Sequence, residues 1–353
     1  IKRLTKVYRK QIPLDDRDHL NNQRVEVTGT LIADLFRTLL KRYVRTVYTQ
    51  LEKRQDIALI ISKLTMITLG IQHCFAVGSW GIPKSNYLRQ GVSQLLSNLA
   101  YHGKLSHLRR VVIPQGKESK STKIRSIHTS QIGMVCPHET PEGACVGIVK
   151  QINNFTRVTL PINQVLIQSI IDDIKHTSKD FERLLQGCVE NVYLVFVNGN
   201  LIVFTDQPDY VYSKLLFYKQ NDVFSKDVSI VIDNETNEIH LYTDDGRLQR
   251  AVLQTNNLPT IEDLKKKSFY ELVNEKKIIY LDSYEIEKTA IAMTYEEFLK
   301  NPHLYSYLEL HPTVISSYIM SLIPYNDHTQ SPRNTYYASM TKQAIGLPFH
   351  NLK

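Results

Sequence analysis

An acidic segment near the start of the sequence contains residue types that could bind divalent metal ions. It reads Asp15-Asp16-Arg17-Asp18-His19, which offers four possible ligands within five residues. Carboxylates that hold two metal ions could align the attacking and leaving oxygens of a phosphoryl transfer. The same pattern is typical of a solvated turn in which the arginine pairs with its acidic neighbours, and this second interpretation is favoured.

The four cysteines do not have the spacing of a metal site. They contain no C-x-x-C pair, so neither a zinc site nor a dense disulfide framework is predicted. The residues are Cys74, Cys136, Cys145 and Cys188. We expect reduced, buried thiols and no zinc.

Basic residues suggest phosphate as a ligand. The 43 Lys and Arg residues exceed the 35 Asp and Glu residues, which gives a net charge of +8 and a pI of about 9.1. A basic face attracts polyanions through counterion release, although charge alone does not establish nucleic-acid binding. Arg333 follows Pro332 in a predicted turn. Its guanidinium could pair bidentately with phosphate oxygens, or it could be an ordinary surface or ion-paired arginine.

Two short segments are expected to present side chains. Residues 115–123 contain no apolar residue, so a basic exposed loop with Lys117, Lys120 and Lys123 is predicted. Residues 137–143 contain two prolines and a glycine, which indicates a rigid turn around Glu139. Glu139 could face a site, or its carboxylate could accept backbone N–H bonds inside the turn.

The remaining patterns predict several domains of mixed structure. Apolar residues at helical spacing predict helices over 30–53, 56–72, 92–101, 210–219 and 261–275. Runs rich in β-branched residues predict hairpins over 192–205, with Asn198-Gly199-Asn200 as its turn, and over 228–243. A chain of 353 residues exceeds what one core usually serves, so we expect a multidomain α+β protein. No run of 18 uncharged apolar residues occurs, so no membrane span or membrane partner is expected.

Three separated segments of the sequence resemble one protein family, in that family's order. They are Asp15 to Gly29; Gly78-Ser-Trp80-Gly81 through Gly91 to Gln94, Leu105 to Arg110 and Gly133 to Gly143; and Ile323 to Tyr336 with Met340 to Ala344. Together they resemble the second-largest subunit of multisubunit DNA-dependent RNA polymerases, the counterpart of the bacterial beta subunit. The sequence resembles the eukaryote-like form of this subunit more than the bacterial form, and its short loops favour an origin in a large DNA virus.

The resemblance implies an order of domains. It implies a helical protrusion and fork segment, mixed α/β external domains and the start of a hybrid-binding region. The ranges are 1–77 for the end of the protrusion, 78–152 for the fork with its loops, 153–250 and 251–303 for external domains 1 and 2, and 304–353 for the start of the hybrid-binding region. The acidic cluster at 15–19 then corresponds to a structural segment.

The resemblance also implies roles for individual residues. It places Arg333 against the incoming nucleoside triphosphate and Glu139 toward the active centre. The implied nucleic-acid contacts are Gln94, Arg109, Arg110, Lys117, Lys120, Lys123, Lys342 and Gln343. Arg109 and Arg110 could instead brace the fork through ion pairs, and Gln94 could be a capping or helix-surface residue. Residues 115–123 correspond to fork loop 2, and those around Trp80 and Pro83 to fork loop 1, although Trp80 itself is expected to be a packing anchor.

The implied activity belongs to a complex, with no catalytic residue or metal site on this chain. Magnesium would be held mainly by the largest subunit, and the partners would be that subunit, the smaller polymerase subunits, DNA template, RNA transcript and ribonucleoside triphosphates. The expected location is intracellular: the nucleus, or the cytoplasm or virion for a virus. Gln151 departs from the asparagine usual in the family, so no contact is transferred to it.

The sequence opens on Ile1 and lacks the acidic and zinc-clamp motifs that follow in the family, so we expect a central fragment of a longer subunit. The alternative hypothesis is a stand-alone basic nucleic-acid-binding or scaffold protein derived from such a subunit.

Overall fold

The computed structural model describes residues 2–11, 13–53, 57–63, 65–80, 89–114, 121–177, 192–221 and 225–345. Its helices are α1 Lys2–Tyr8, α2 Thr28–Leu51, α3 Ile57–Lys63, α4 Met66–Val77, α5 Tyr101–Leu108, α6 Gln164–Thr177, α7 Pro208–Gln220, α8 Ile261–Lys266, α9 Phe269–Asn274, α10 Ser283–Glu287, α11 Tyr295–Lys300, α12 Tyr318–Ser321 and α13 Ser331–Gln343. Its strands are β1 Arg110–Val112, β2 Val149–Gln151, β3 Thr156–Val158, β4 Tyr193–Val197, β5 Asn200–Thr205, β6 Ser229–Asp233, β7 Glu238–Tyr242, β8 Leu248–Gln254, β9 Ile278–Asp282, β10 Ile291–Ala292 and β11 Tyr307–Leu308. The expectation of a mixed α and β protein is confirmed.

The chain divides into two compact units that interleave along the sequence. The first unit comprises residues 1–25, 109–112 and 117–341, and the second comprises 26–108, 113–116 and 342–353. The chain therefore leaves the first unit after Val25 and returns to it at Arg109. The five domain ranges implied by the resemblance stay predictions.

A four-stranded sheet forms one core of the first unit. Its strand order is β5-β4-β7-β6, with β4 and β7 parallel and the other pairs antiparallel. Both hairpins were predicted, and the first turns at Asn198 and Gly199, whose φ angles of 47° and 80° suit those residue types. Helices α6 and α7 cover the sheet, with Ile174, Leu215 and Ile239 almost fully buried.

A second sheet of the first unit is centred on β8. Strands β3 and β11 pair with one edge of β8, and β9 pairs with residues 249–253 of it. Two arginines of β8 and its preceding turn are buried as ion pairs, Arg247 with Asp282 at 2.8 Å and Arg250 with Glu309 at 2.7 Å. Because a buried charge without its partner is costly, these pairs fix the approach of β9 and of the segment at Glu309 to β8.

Close backbone approach explains one glycine of the first unit. The Val25 N–H donates to the Gly246 carbonyl at 2.7 Å, and Gly246 has a φ of 78°. A Cβ at Gly246 would lie 2.3 Å from the Val25 carbonyl oxygen. The position therefore requires glycine, both for its left-handed backbone and for the space.

The second unit is mainly helical, and its helices differ in part from the prediction. Helix α2 matches the expected helix 30–53, whereas the expected helix 56–72 is two helices, α3 and α4. The expected helix over 92–101 is wrong, because residues 91–100 contain no helix and α5 begins only at Tyr101. Trp80 packs against Leu35 and Leu39, which confirms its interpretation as a packing anchor.

Candidate nucleic-acid interface

Arg333 lies in the first turn of helix α13, not in the turn that the sequence predicted. Its side chain is exposed, and its guanidinium carbon lies 5.7 Å from the centre of the Tyr336 ring. The described residues provide it with no carboxylate partner. The unpaired N–H groups and the dipole of a helix amino end favour anions, so the guanidinium adds a full positive charge to a favourable position for phosphate.

Two neighbours of Arg333 hold the start of α13 in place. The buried Asn334 amide donates to the Asn326 carbonyl at 2.7 Å and to the Thr329 carbonyl at 3.3 Å. The Thr335 hydroxyl donates to the His138 carbonyl at 2.8 Å, which belongs to the proline-rich turn. These bonds fix the backbone around Arg333 while its own side chain stays exposed.

Glu139 belongs to the same turn, but its carboxylate points into the protein. The residue is 2% exposed, and its carboxylate accepts a hydrogen bond from the Ser317 hydroxyl. Its backbone N–H contacts the Cys136 sulfur at 3.4 Å. One partner of the Glu139 carboxylate is therefore a hydroxyl from another element of the chain. An active-centre role for Glu139 stays a prediction.

A small core supports both Glu139 and α13. Cys136, Ile319, Met320 and Ala338 form one buried cluster, in which Ile319 and Met320 are fully enclosed. Ser317 begins α12 as its N-cap, and its hydroxyl oxygen accepts from the Met320 N–H at 3.5 Å. The structure therefore places Arg333 and Glu139 around one packed core, with only Arg333 exposed.

Arg109 points inward, onto backbone carbonyls of the first unit. Its guanidinium donates to the carbonyls of Asn153, Asn154 and Thr156, the last at 3.2 Å. Burial lowers the pKa of Arg109 from its usual value. These bonds tie the Arg109 side chain to the backbone through carbonyls, and its contact with nucleic acid stays a prediction. Arg110 lies on β1 opposite Gln151 and is half-buried.

Of the three loop lysines, only Lys123 lies within the described residues. It starts a short 3₁₀ helix and is exposed. Lys117 and Lys120 lie outside the described residues, as does Pro83 of the other predicted loop. Their contacts with nucleic acid stay predictions.

Gln94 is exposed in the second unit, and both ends of its amide have partners. The amide nitrogen donates to the Gly91 carbonyl at 2.7 Å. The His107 Nδ1 accepts from the Ser97 N–H at 3.1 Å, so its Nε2 carries the proton that is donated to the Gln94 amide oxygen at 3.1 Å. The Gln94 side chain thus links Gly91 to His107, and any contact of Gln94 with RNA would compete with these two bonds.

Lys342 and Gln343 end helix α13. Lys342 is half-buried and Gln343 is exposed. A Cβ at Gly103 of α5 would lie 2.8 Å from the Lys342 carbonyl oxygen, so the glycine permits this close backbone approach. Both side chains stay predicted nucleic-acid contacts.

The acidic cluster at 15–19 forms a turn, as favoured by the sequence, and two of its residues pair with side chains far along the chain. Asp16 accepts from the Asp18 N–H at 2.9 Å and from His128 at 3.1 Å, and the first of these bonds is the main cause that lowers the pKa of Asp16. His19 contacts Glu287 at 2.5 Å. In the described part of the chain, no group of three His, Cys, Asp or Glu side chains could hold a metal ion.

Sequence reasoning missed the anchors of this site. Ser317 and Thr335 hold the turn and α13 together, yet Ser317 is 178 residues from its partner Glu139. A local signal exists for Ser317 alone, because serine is a preferred N-cap.

Among the described helices, none is long and apolar enough to span a membrane.

Comparison with known proteins gives matches to one family. Residues 94–158 match the family model for RNA polymerase Rpb2, domain 3, and residues 195–256 match that for RNA polymerase Rpb2, domain 4. The first range contains Gln94, Arg109, Arg110 and Glu139, and the second contains the hairpin at Asn198.

Full-length relatives extend the similarity over nearly the whole chain. A probable DNA-directed RNA polymerase II subunit RPB2 homolog of Invertebrate iridescent virus 6 is 38% identical over 346 residues, which are 96% of this chain and 29% of that protein. DNA-directed RNA polymerase II subunit 2 of Arabidopsis thaliana is 33% identical, over 95% of this chain and 30% of that protein. DNA-directed RNA polymerase subunit Rpo2 of Sulfolobus acidocaldarius is 31% identical, over 98% and 32%. The chain thus spans about 30% of the length of these relatives, and it belongs to the Rpb2 family of RNA polymerase subunits.

Proposed function

We propose that this chain is the part of an RNA polymerase second subunit that holds the DNA template and the RNA–DNA hybrid and helps to position the incoming nucleotide. The reaction is nucleotidyl transfer by a multisubunit complex, and the chain alone is inactive. The relatives are named as DNA-directed RNA polymerase subunits, which supports this assignment. Location would follow the complex, in the nucleus or, for a virus, at its site of transcription.

Arg333 is the observation that carries the proposal. Its exposed guanidinium stands at the amino end of α13, and Asn334 and Thr335 fix that end to buried structure. A donor that is positioned before the reaction costs no reorganisation when charge develops on the transferring phosphoryl group. Arg333 would therefore bind the triphosphate and stabilise the transition state in which pyrophosphate leaves it.

The other groups needed for the reaction come from partners. Magnesium would neutralise the triphosphate and align the attacking and leaving oxygens, and we assign its ligands mainly to the largest subunit. The exposed Lys123 and the residues Gln94, Arg110, Lys342 and Gln343 would contact the sugar–phosphate backbone. Such contacts hold nucleic acid without reading its sequence.

The test compares Arg333 variants in one assembled elongation complex. Loss of a preorganised charge-assisted donor costs about 2–4 kcal/mol, so Arg333→Ala should slow single-nucleotide addition on the order of thirtyfold to several hundredfold. Arg333→Lys should restore the rate only in part, because an ammonium keeps the charge and loses the planar fork. The half-life of the complex should change little.

Lys123→Ala is the matched control, because it removes another exposed cation whose contact with phosphate would be screened by solvent. We expect its addition rate to stay within a few-fold of the parent enzyme. An unchanged addition rate in Arg333→Ala, or a loss confined to the half-life of the complex, would show that Arg333 does not serve the triphosphate.

A further inference from the structure

A cavity of about 400 Å³ lies between the edge strands of the two large sheets in the first unit. Residues 230–233 of β6 line one side, and residues 278–281 of β9 line the other. Strand β6 is the last strand of its sheet, and β9 pairs with β8 on one side only among the described strands. Strand edges without a paired neighbour are the places where a further strand can be added, although Ile230 and Ile278 are themselves largely buried here.

The backbone groups along both edges point toward this cavity. Alternate residues of an antiparallel strand direct their N–H and C=O away from the partner strand. The Ile230 N–H already points away from β7, so Ile232 does so as well. The Lys277 carbonyl accepts from Gln254 on the side of β8, so Ile278 and Tyr280 present their backbone groups on the opposite side.

The Glu285 side chain closes one end of the gap between β6 and β9, where it accepts backbone hydrogen bonds from both strands. The buried carboxylate of Glu285 accepts from the Ile230 N–H of β6 at 3.1 Å and from the Asp282 N–H of β9 at 3.3 Å. The Lys219 ammonium neutralises it at 2.6 Å. Glu285 thus supplies to both edges the acceptors that carbonyls of an inserted strand would supply. Beyond Glu285, between residues 230–233 of β6 and residues 278–281 of β9, no side chain of the described residues fills the gap, and the cavity lies there.

The walls and rim of the cavity indicate the chemistry of its occupant. Apolar side chains from several elements form the wall, namely Leu216, Ile232, Val273, Ile278 and Tyr307. Lys226 and Lys276 lie at the rim, where Lys226 donates to Asn274 at 2.8 Å. The Lys276 ammonium has no carboxylate partner among the described residues, unlike Lys288, which pairs with Asp233 at 3.2 Å. The Glu235 carboxylate also lines the cavity, in the turn after β6, so the charges at the rim are mixed. An apolar wall with an ammonium at Lys276 suits an apolar segment whose carboxylate lies at the Lys276 end, away from Glu235.

Lys276 also occupies a backbone position that costs energy. It follows helix α9 with a φ of 62°, where glycine is the usual residue. A lysine here sacrifices some stability and places an ammonium at the rim. Substitution by glycine should therefore remove the charge without harming the fold.

We propose that an extended peptide segment of a partner protein binds in this cavity by adding a strand along β6 and β9. The segment has apolar side chains at alternate positions, which face the wall, and an acidic residue at the end that reaches Lys276. Main-chain hydrogen bonds to Ile232 and Tyr280 supply affinity, and the alternate side chains supply specificity. The proposal does not rest on the role of Arg333.

The test uses a fluorescent seven-residue peptide, Asp-Val-Thr-Val-Thr-Val-Asp, and the full 353-residue chain. We expect saturable binding below about 1 mM, and slower hydrogen exchange in residues 228–234 and 277–282 on addition of peptide. The same peptide with proline at its central valine should bind at least about fivefold more weakly, because proline lacks an N–H and interrupts the strand.

Two variants locate the site, and one variant is a matched control. Lys276→Gly should weaken binding about threefold to fivefold. Lys10→Gly should leave it unchanged, since Lys10 is also a lysine with left-handed backbone but is exposed and does not line the cavity. Ile232→Pro should weaken binding by fivefold or more, and if it fails to fold, Lys276→Gly still decides.

Any one of the following results would overturn the proposal. The first is an absence of peptide binding at 1 mM, and the second is equal binding of the proline peptide. The third is equal affinity in Lys276→Gly and Lys10→Gly, or protection from exchange at other segments only. Capture of the apolar anion anilinonaphthalene sulfonate by the cavity without binding of the peptide would likewise reject a strand and indicate a small-molecule site.

Discussion

Ser317 is expected to stabilise the small core of Cys136, Ile319, Met320 and Ala338 that supports α13, here called the Arg333 body. Its replacement by alanine tests that expectation. Its hydroxyl has two functions, since it donates to the buried Glu139 carboxylate and accepts from the Met320 N–H at 3.5 Å as the N-cap of α12. Ser317→Ala removes both bonds. It leaves Glu139, which is 2% exposed, with one donor fewer.

The two contributions give the expected magnitude. A hydrogen bond to a charged group contributes about 1.5–3 kcal/mol, and loss of an N-cap costs about 0.5–2 kcal/mol. The cap bond is long, so its contribution belongs at the lower end of that range. Ser317→Ala should therefore lower the free energy of opening of this body by about 2–4 kcal/mol.

Hydrogen exchange of residues 318–323 is the suitable measurement. A chain of two compact units need not unfold in a single step, so a global unfolding midpoint would mix events, whereas amide exchange reports the local opening. The expected change is an acceleration on the order of thirtyfold to several hundredfold.

Ser316→Ala provides the control. Ser316 is a half-buried neighbour, and the described residues offer its hydroxyl no hydrogen-bond partner. Its replacement should accelerate exchange less than about threefold. Equal acceleration in Ser316→Ala and Ser317→Ala would refute the reasoning, because the effect would then not depend on the hydroxyl that contacts Glu139.

Two further predictions concern the frame of the first unit. Gly246→Ala should destabilise it by at least about 3 kcal/mol, because the new Cβ would lie 2.3 Å from the Val25 carbonyl oxygen. Gly199→Ala, with open space around it, should cost only about 1 kcal/mol, and amide hydrogen exchange of residues 193–205 and 248–254 in both variants checks this. Burial raises the pKa of Glu285, and the Lys219 ammonium opposes the rise. A raised folded-state pKa gives stability that is present below the unfolded pKa and lost as pH rises through the folded pKa. Lys219→Met should therefore lose more stability at pH 8 than at pH 5, measured by amide hydrogen exchange of residues 229–233 with the intrinsic exchange rate at each pH divided out. An equal loss at both pH values would contradict this assignment.

Local signals in the sequence predicted the elements whose cause is local. The Asn198-Gly199 turn has both positive φ angles that its residue types favour, and the hairpin formed where expected. Helix α2 likewise follows from one long stripe of apolar residues. The resemblance to the polymerase family singled out Arg333 and Glu139 as candidate site residues. Their residue types alone would not have distinguished them from other arginines and glutamates of the chain.

Nonlocal contacts explain what the sequence could not predict. The predicted helix over 92–101 relied on apolar residues at helical spacing, yet Leu95 is 96% exposed and has no core to face. Side chains bond to the backbone there, with Gln94 on the Gly91 carbonyl and His107 on the Ser97 N–H, and such bonds compete with helix formation. The inward direction of Glu139 likewise depends on a serine far along the chain.

The interleaving of the two units has a consequence for the order of events during synthesis. The second unit emerges from the ribosome largely complete at residue 108, whereas the first cannot join Val25 to Gly246 until much later. Closing so long a loop is thermodynamically cheap, since each doubling of loop length costs only about 0.6 kcal/mol, but the contact must wait for its partner. Val25 therefore remains without its partner while the residues between it and Gly246 are synthesised, and a nascent-chain chaperone could bind this part of the chain during that interval.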